Sequence, residues 1–391
     1  MLGAAMIKQY NIGLLFSQDG SYAPLGRAML AGARLAVDEV NADPQRAFRL
    51  EPVAHDPGGD LSRYYDAVKD MLTGGDIKHV VGCYTSSSRK EVLPLFEKHD
   101  GLLWYPSHYE GFESSDNVIY TGAAPNQHIM PLLRYLTRTK GNRAWCVGSN
   151  YIWAWENNRI LREAITGIGG EVIFERYCPI GETDLLDIAR QIVADRPDFV
   201  YCTLIGESLY RFLDLFREVA QAAGIDQARD IPVASCSLSE AELPAIKSAR
   251  SGHLSASVYF STIATAENEK FSRTWRKQFG HLGLPCADAE ASYLAVHFLA
   301  RALDRAGSAD TPSVRNAARG LAFDAPQGKV TLDPQNLHCS MRPRIGVSRD
   351  DGSFSIICEE AQSVRPDPYL VWSEELTAQG ASKQPNLRVV K

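Results

Sequence analysis

Residues 79–113 read HVVGCYTSSSRKEVLPLFEKHDGLLWYPSHYEGFE, two short apolar runs separated by one amphipathic stretch. HVVGCY (79–84) is continuous and β-rich, as in strands covered on both faces of a parallel sheet. Thr85, Ser86, Ser87 and Ser88 then open a helix predicted over about 87–98, and LLWYP (102–106) supplies the next strand.

The same alternation extends outward in both directions. Upstream, YNIGLLF (10–16) and FRLEPVAHD (48–56) read as strands around a helix over 25–41, and DPGGD (56–60) caps another over 61–72. Downstream of TGAAPNQ (121–127), strands are expected at 143–149, 171–177, 198–204 and 231–235. Helices are expected near 153–166, 183–194, 206–223 and 238–249. Two further helices, 266–280 and 287–306, lack strands of their own and are expected to return to the first lobe. PQGKVTLDPQNLH (326–338) reads as a further crossing, and 344–360 as a hairpin turning at Asp350-Asp351-Gly352. The fold class that results is α/β, with two doubly wound Rossmann-like lobes joined by a three-crossover hinge. The expected division is 7–123 plus 260–334, 124–259 plus 335–370, and a polar, loose tail at 371–391.

The bulk properties agree with a folded binding unit. The chain has 391 residues, 45% hydrophobic and 23% charged, with a net charge of −6. That charge gives no electrostatic footprint for direct binding to nucleic acid. No apolar run approaches the roughly 18 residues that would suggest a membrane span. Lys8, Gln9 and Asn11 interrupt any secretory leader near the start. The eight cysteines form no CxxC pair and sit in apolar contexts, the pattern of reduced, buried thiols. The expected compartment is the cytoplasm, or the periplasm if a leader has been removed.

In open α/β sheets, ligands gather at the carboxyl ends of strands. Two strand ends in the opening segment carry Tyr84 and Ser86, and Tyr105, Ser107 and His108. A facing rim is expected from Tyr151 and Trp153, with Ile205 and Leu238 as apolar walls. One serine at a helix start is explained by capping alone; two adjacent strand ends rich in hydroxyls and rings are not. Arg89 and Lys90 fall beyond the first helical turn, so the rim is read as free of fixed charge. It suits a small neutral amide or urea, whose carbonyl accepts and whose N–H groups donate.

No GxSxG, HExxH, GxxxxGK[ST] or GxGxxG occurs, and Ser87-Ser88-Arg89-Lys90 matches SxxK without its companion motifs. Cys83 has no acid or base placed beside it by sequence. The nine histidines show no metal-ligand spacing. Neither catalysis, a metal nor a cofactor is expected.

VGCYTSSSRK, WYPSHYEGFE, YTGAAPNQ, VGSNYIW, FDAPQG and RPDPY resemble the amide- and urea-binding branch of the periplasmic binding-protein superfamily, over residues 10–370. The resemblance implies the type I periplasmic binding-protein fold, with ligand in the cleft between lobes. It implies that Ser86 bonds an amide, that Tyr84, Tyr105 and Ser107 line the first-lobe wall, and that Tyr151 reaches in from the second lobe. His108 stands where the branch's amidase-operon sensor has proline, Trp153 where it has tyrosine, and Leu238 where a hydroxyl is usual. Within this branch the chain is similar to cytoplasmic sensors that negatively regulate amidase expression. Their partner is an RNA-binding antitermination protein. It is also similar to the substrate-binding components of urea and short-chain amide ABC transporters. A homo-oligomer is compatible with either role.

Overall fold

The computed structural model describes residues 7–371 and 387–389. The expected loose tail therefore lies outside the described residues, apart from Val371 and that last short strand.

The first sheet is built from one continuous alternation. It runs β1 (Lys8–Leu15), α1 (Ala23–Ala42), β2 (Phe48–His55), α2 (Leu61–Thr73), β3 (His79–Gly82), α3 (Ser86–Lys98), β4 (Leu102–Tyr105) and β5 (Val118–Tyr120). All five strands are parallel, in the order β2-β1-β3-β4-β5. Caps fix where the helices begin: the Asp60 carboxylate accepts from the N–H groups of Ser62 and Arg63, and the Thr85 hydroxyl from Ser88.

The second series follows with α4 (Ile129–Thr139), β6 (Arg143–Ser149), α5 (Ile152–Gly167), β7 (Glu171–Cys178), α6 (Leu186–Asp195) and β8 (Phe199–Thr203). It continues with α7 (Glu207–Ala222), α8 (Gln227–Asp230), β9 (Val233–Ser235) and β10 (Leu254–Ser257). After these come α9 (Ala266–Phe279), α10 (Ala287–Ala306), α11 (Thr311–Ala318), β11 (Ala322–Ala325), β12 (Gly328–Leu332) and β13 (Cys339–Ser340). The chain ends with β14 (Arg344–Ser348), β15 (Phe354–Glu360) and β16 (Leu387–Val389). The second sheet has the order β16-β15-β14-β10-β9-β8-β6-β7. Its parallel portion, β7-β6-β8-β9-β10, repeats the strand order of the first sheet.

In each sheet the order reverses beside the first strand of its series, between β1 and β3 and between β6 and β8. The carboxyl ends there open a crevice between the outward-diverging connections. α10 returns to pack on α1 so closely that a Cβ added at Gly32 would stand 2.0 Å from the Ala289 carbonyl oxygen. The lobes also touch across the cleft. Gly206, with φ +60, lies where an added Cβ would be 2.0 Å from the Ser21 carbonyl oxygen.

Two expectations need correction. The helix anticipated over 238–249 is absent; only Leu243–Ala245 makes a single 3₁₀ turn. Pro244 interrupts the segment, and the Asp214 carboxylate instead takes the N–H groups of Lys247, Ser248 and Ala249. Residues 326–338 are also more than a crossing, since β12 pairs antiparallel with β11 and β13 in a separate three-stranded sheet. The hairpin at 344–360 forms as β14 and β15, turning through Gly352 at φ +83.

Candidate functional site

Cys83, directly after β3, adopts the left-handed conformation with φ +65, unusual for a residue with a side chain. The turn delivers Tyr84, Thr85 and Ser86 to the crevice at the start of α3. Ser107 and His108 follow β4, while Tyr151 and Trp153 follow β6 and begin α5. These seven residues line one small cavity. It offers about 10 Å³ to the centre of a water-sized sphere, the scale of a water or a comparably small guest. Two neighbouring cavities of about 20 Å³ each also include His108 in their walls.

Six of the nine predicted site residues, Tyr84, Ser86, Ser107, His108, Tyr151 and Trp153, are thus brought together. The other three are placed differently. Tyr105 stands one layer behind, fully buried, with its hydroxyl donating to the Tyr84 carbonyl at 2.6 Å. Leu238 lines an adjoining cavity and not this one. Ile205 lines none of the three; its N–H donates to the Ser149 hydroxyl at 3.2 Å. Sequence reading also passed over Thr85 as a wall, because its capping role hid it.

The walls mix ring faces with polar groups. Tyr151 stacks on Trp153 at 6.1 Å, and His108 meets Trp153 edge-on at 5.4 Å. The Trp153 indole N–H is buried and has no acceptor among the described residues. Burial pushes the Tyr84 and Tyr151 hydroxyls well above their ordinary range, so both stay protonated as donors. Burial likewise pushes the His108 imidazole down to about 3, with neighbouring His128 adding to the effect, so the ring is neutral.

Beneath Ser86 the expectation of a charge-free surround fails. Arg89 is fully buried, donating to Glu110 at 2.9 Å, Glu113 at 2.8 Å and the Ser86 hydroxyl at 3.3 Å. The Ser86 hydroxyl in turn donates to Glu110. The guanidinium also lies over the rings of Tyr105 and Tyr109, at 4.7 and 4.8 Å. Ser86 thus gives its proton away from the cavity. Two buried acids, Asp288 and Glu240, line the cavity on the other side of His108, and the sequence reading assigned neither. Burial pushes the Cys83 thiol up to about 12, which keeps it protonated. Among the described residues no group of side chains is arranged to hold a metal ion, and no helix is long and apolar enough to cross a membrane.

Two α/β lobes with a small cavity lined from the strand ends of both define the architecture of a binding protein. The comparisons agree on the family: residues 10–375 match the model described as periplasmic binding protein domain, and the chain belongs to that family. A curated relative, Leu/Ile/Val-binding protein homolog 6 of Brucella abortus, is 20% identical over 90% of this chain and 91% of its own length. Among solved structures, a solute-binding protein of an ABC transporter from Rhodopseudomonas palustris HaA2, in complex with p-hydroxybenzoic acid, superimposes with a TM-score of 0.81. It is 18% identical, covering 94% of this chain and 100% of that one. A branched-chain amino acid transporter substrate-binding protein from Streptococcus pneumoniae, in complex with isoleucine, gives a TM-score of 0.78. Its identity is 18%, covering 92% of this chain and 100% of that one. At these identities the solved structures establish the type I periplasmic binding-protein fold.

The Arg89 network has a pH signature. Burial alone would raise the Glu113 carboxyl, but Arg89 and Lys90 outweigh it and hold the group at about 2. A depressed carboxylate stabilises the fold above its unfolded value, near 4.5, and loses that contribution as pH falls towards 2. The contribution is at most about 3 kcal/mol. In urea titrations the stability gap between wild type and Glu113→Gln is expected to close between pH 4.5 and about 2. A gap that stays constant across that range would contradict the assignment.

Proposed function

We propose that this chain is a non-catalytic solute-binding protein that closes around a small uncharged amide or urea. The observation that carries this reading is the composition of the small cavity. It is lined by the hydroxyl-bearing Tyr84, Ser86, Ser107 and Tyr151, with one unmatched indole N–H and no charged side chain, while the Thr85 hydroxyl is held in its cap by Ser88. Trp153 suits the guest's carbonyl oxygen. Ser86, its own proton directed to Glu110, suits an amide N–H as acceptor. The cavity's size opposes guests as large as the ligands of the solved relatives, and its walls would have to part slightly for an amide of four heavy atoms. Such a guest gains at most about 1.5 kcal/mol per heavy atom, so four atoms give roughly 6 kcal/mol and a dissociation constant of tens of micromolar. Only an enclosed site reaches that limit, and the approach of Gly206 to Ser21 is consistent with closure.

On this reading the hinge joins lobes 7–123 plus 260–334 and 124–259 plus 335–370. The resemblance to a solute-binding protein of an ABC transporter favours a role as the substrate-binding component of such a transporter. One observation keeps a second role in view: all eight cysteines are free and buried, as suits a reducing compartment. That role is the cytoplasmic amide sensor, which would hold an RNA-binding antitermination protein as its partner. Fractionation of the native cells decides between them: the transporter role predicts the chain outside the cytoplasmic membrane, and recovery from the cytosol alone would contradict it.

For the site itself, titration calorimetry with acetamide and urea is the test. Ser86→Ala is expected to weaken binding by about 1–3 kcal/mol through an unpaired buried polar group. Heat with an amino acid or a benzoate, and none with any amide or urea, would overturn the ligand class.

A further inference from the structure

We infer that Phe112 and Arg159, which lie outside the cavity, are positioning residues. Their contact ties the wall carrying Ser107 and His108 to the wall carrying Tyr151 and Trp153, and so sets how tightly a guest is held. The inference rests on the closing of the lobes proposed above, and not on the chemistry of the guest.

Phe112 is the tip of a rigid loop. The loop leaves β4 through Ser107 and His108, and Arg89 anchors it at Glu110 and Glu113. The Tyr120 hydroxyl holds Glu113 as well, at 2.8 Å. Between the two acids the backbone is pressed against the segment after β15. A Cβ added at Gly111, where φ is +81, would stand 2.2 Å from the Pro368 carbonyl oxygen. The Phe112 N–H donates to that same oxygen at 2.9 Å. Phe112 itself has φ +57, a conformation that glycine adopts freely and phenylalanine only under strain. Burial does not offset that strain, because the ring is 40% exposed. Packing within its own lobe therefore leaves the residue unexplained.

The ring is met from the other lobe. The Arg159 guanidinium lies over it at 4.8 Å, within the range at which a ring face attracts a cation. Arg159 belongs to α5, the helix whose start carries Tyr151 and Trp153. On that helix it donates to Glu156 and to Glu163, each at 2.9 Å. The two acids occupy the edge of the guanidinium and leave its flat face for the ring. Tyr369, edge-on to Phe112 at 6.2 Å, supports the ring from its own side. Both partners are thus oriented before they meet, so little freedom is lost when they do.

Such a pair favours the arrangement in which the lobes touch. The apparent affinity for any enclosed guest scales with the fraction of molecules in that arrangement. Two residues that never touch the guest can therefore tune how firmly it is bound.

The test needs no ligand. Single-molecule energy transfer on the full chain reads the open and closed populations, with dyes on Lys69→Cys and Arg190→Cys, exposed positions of α2 and α6. The eight native cysteines are buried, so the dyes go to the introduced ones. Phe112→Ala and Arg159→Ala are each expected to raise the ratio of open to closed molecules about two- to fivefold. The double variant is expected to match the single ones, and Phe112→Tyr, which keeps a ring in place, to match the wild type. Two populations that ignore these substitutions, or effects that multiply in the double variant, would overturn the contact and leave the closing of the lobes standing. One unchanging distance in every variant would sink both.

Discussion

Arg89 is a guanidinium without water, and such a charge must find its balance inside the protein. It does so by joining α3 to the loop after β4, through Glu110 and Glu113, while resting on Tyr105 and Tyr109. Removing one partner from a buried pair of this kind typically costs about 3–5 kcal/mol. The network therefore fixes two strand ends relative to each other. It also sets the orientation of the Ser86 hydroxyl. Tyr105 belongs to the same support, bonding the Tyr84 carbonyl from behind. The cavity remains uncharged because the charge lies one layer beneath it, neutralised.

Both sheets run the same strand order, and each brings its reversal point to the cleft. The first lobe contributes the ends of β3 and β4, and the second contributes the end of β6. Where the lobes meet at Ser21 and Gly206, backbone approaches backbone, leaving no room for a side chain. On the proposed reading, a guest enclosed there would exchange water for hydroxyls and ring faces.

Much of this was legible in the sequence, for physical reasons that also explain the remainder. Strands such as HVVG and VYCT are buried on both faces and read as apolar runs. VIY at 118–120 is too short to stand out, and β5 was not anticipated. The helix expected over 238–249 was overruled by Asp214, a carboxylate from a distant helix that captured its backbone. Six of the seven residues that line the cavity were named from strand-end motifs, and Thr85 was not. Arg89, Glu110 and Glu113 lay within the same quoted stretch, but only the direction of their side chains reveals the pairing. Glu240, Asp288 and His128 come from segments far apart in the chain. Acids set among alanines and leucines, as in SEAEL and ADAEA, were the one signal of burial, and a helix surface would explain them as well.

On the proposed reading, an amide carbonyl meets the Trp153 indole N–H in the cleft. The most direct measurement is the ¹⁵N–¹H spectrum of the indole groups, with Trp153→Phe assigning the resonance, recorded with and without acetamide. The Trp153 indole signal is expected to move downfield and to exchange more slowly with solvent as acetamide saturates the protein. Saturation by acetamide that leaves this signal unmoved would contradict it.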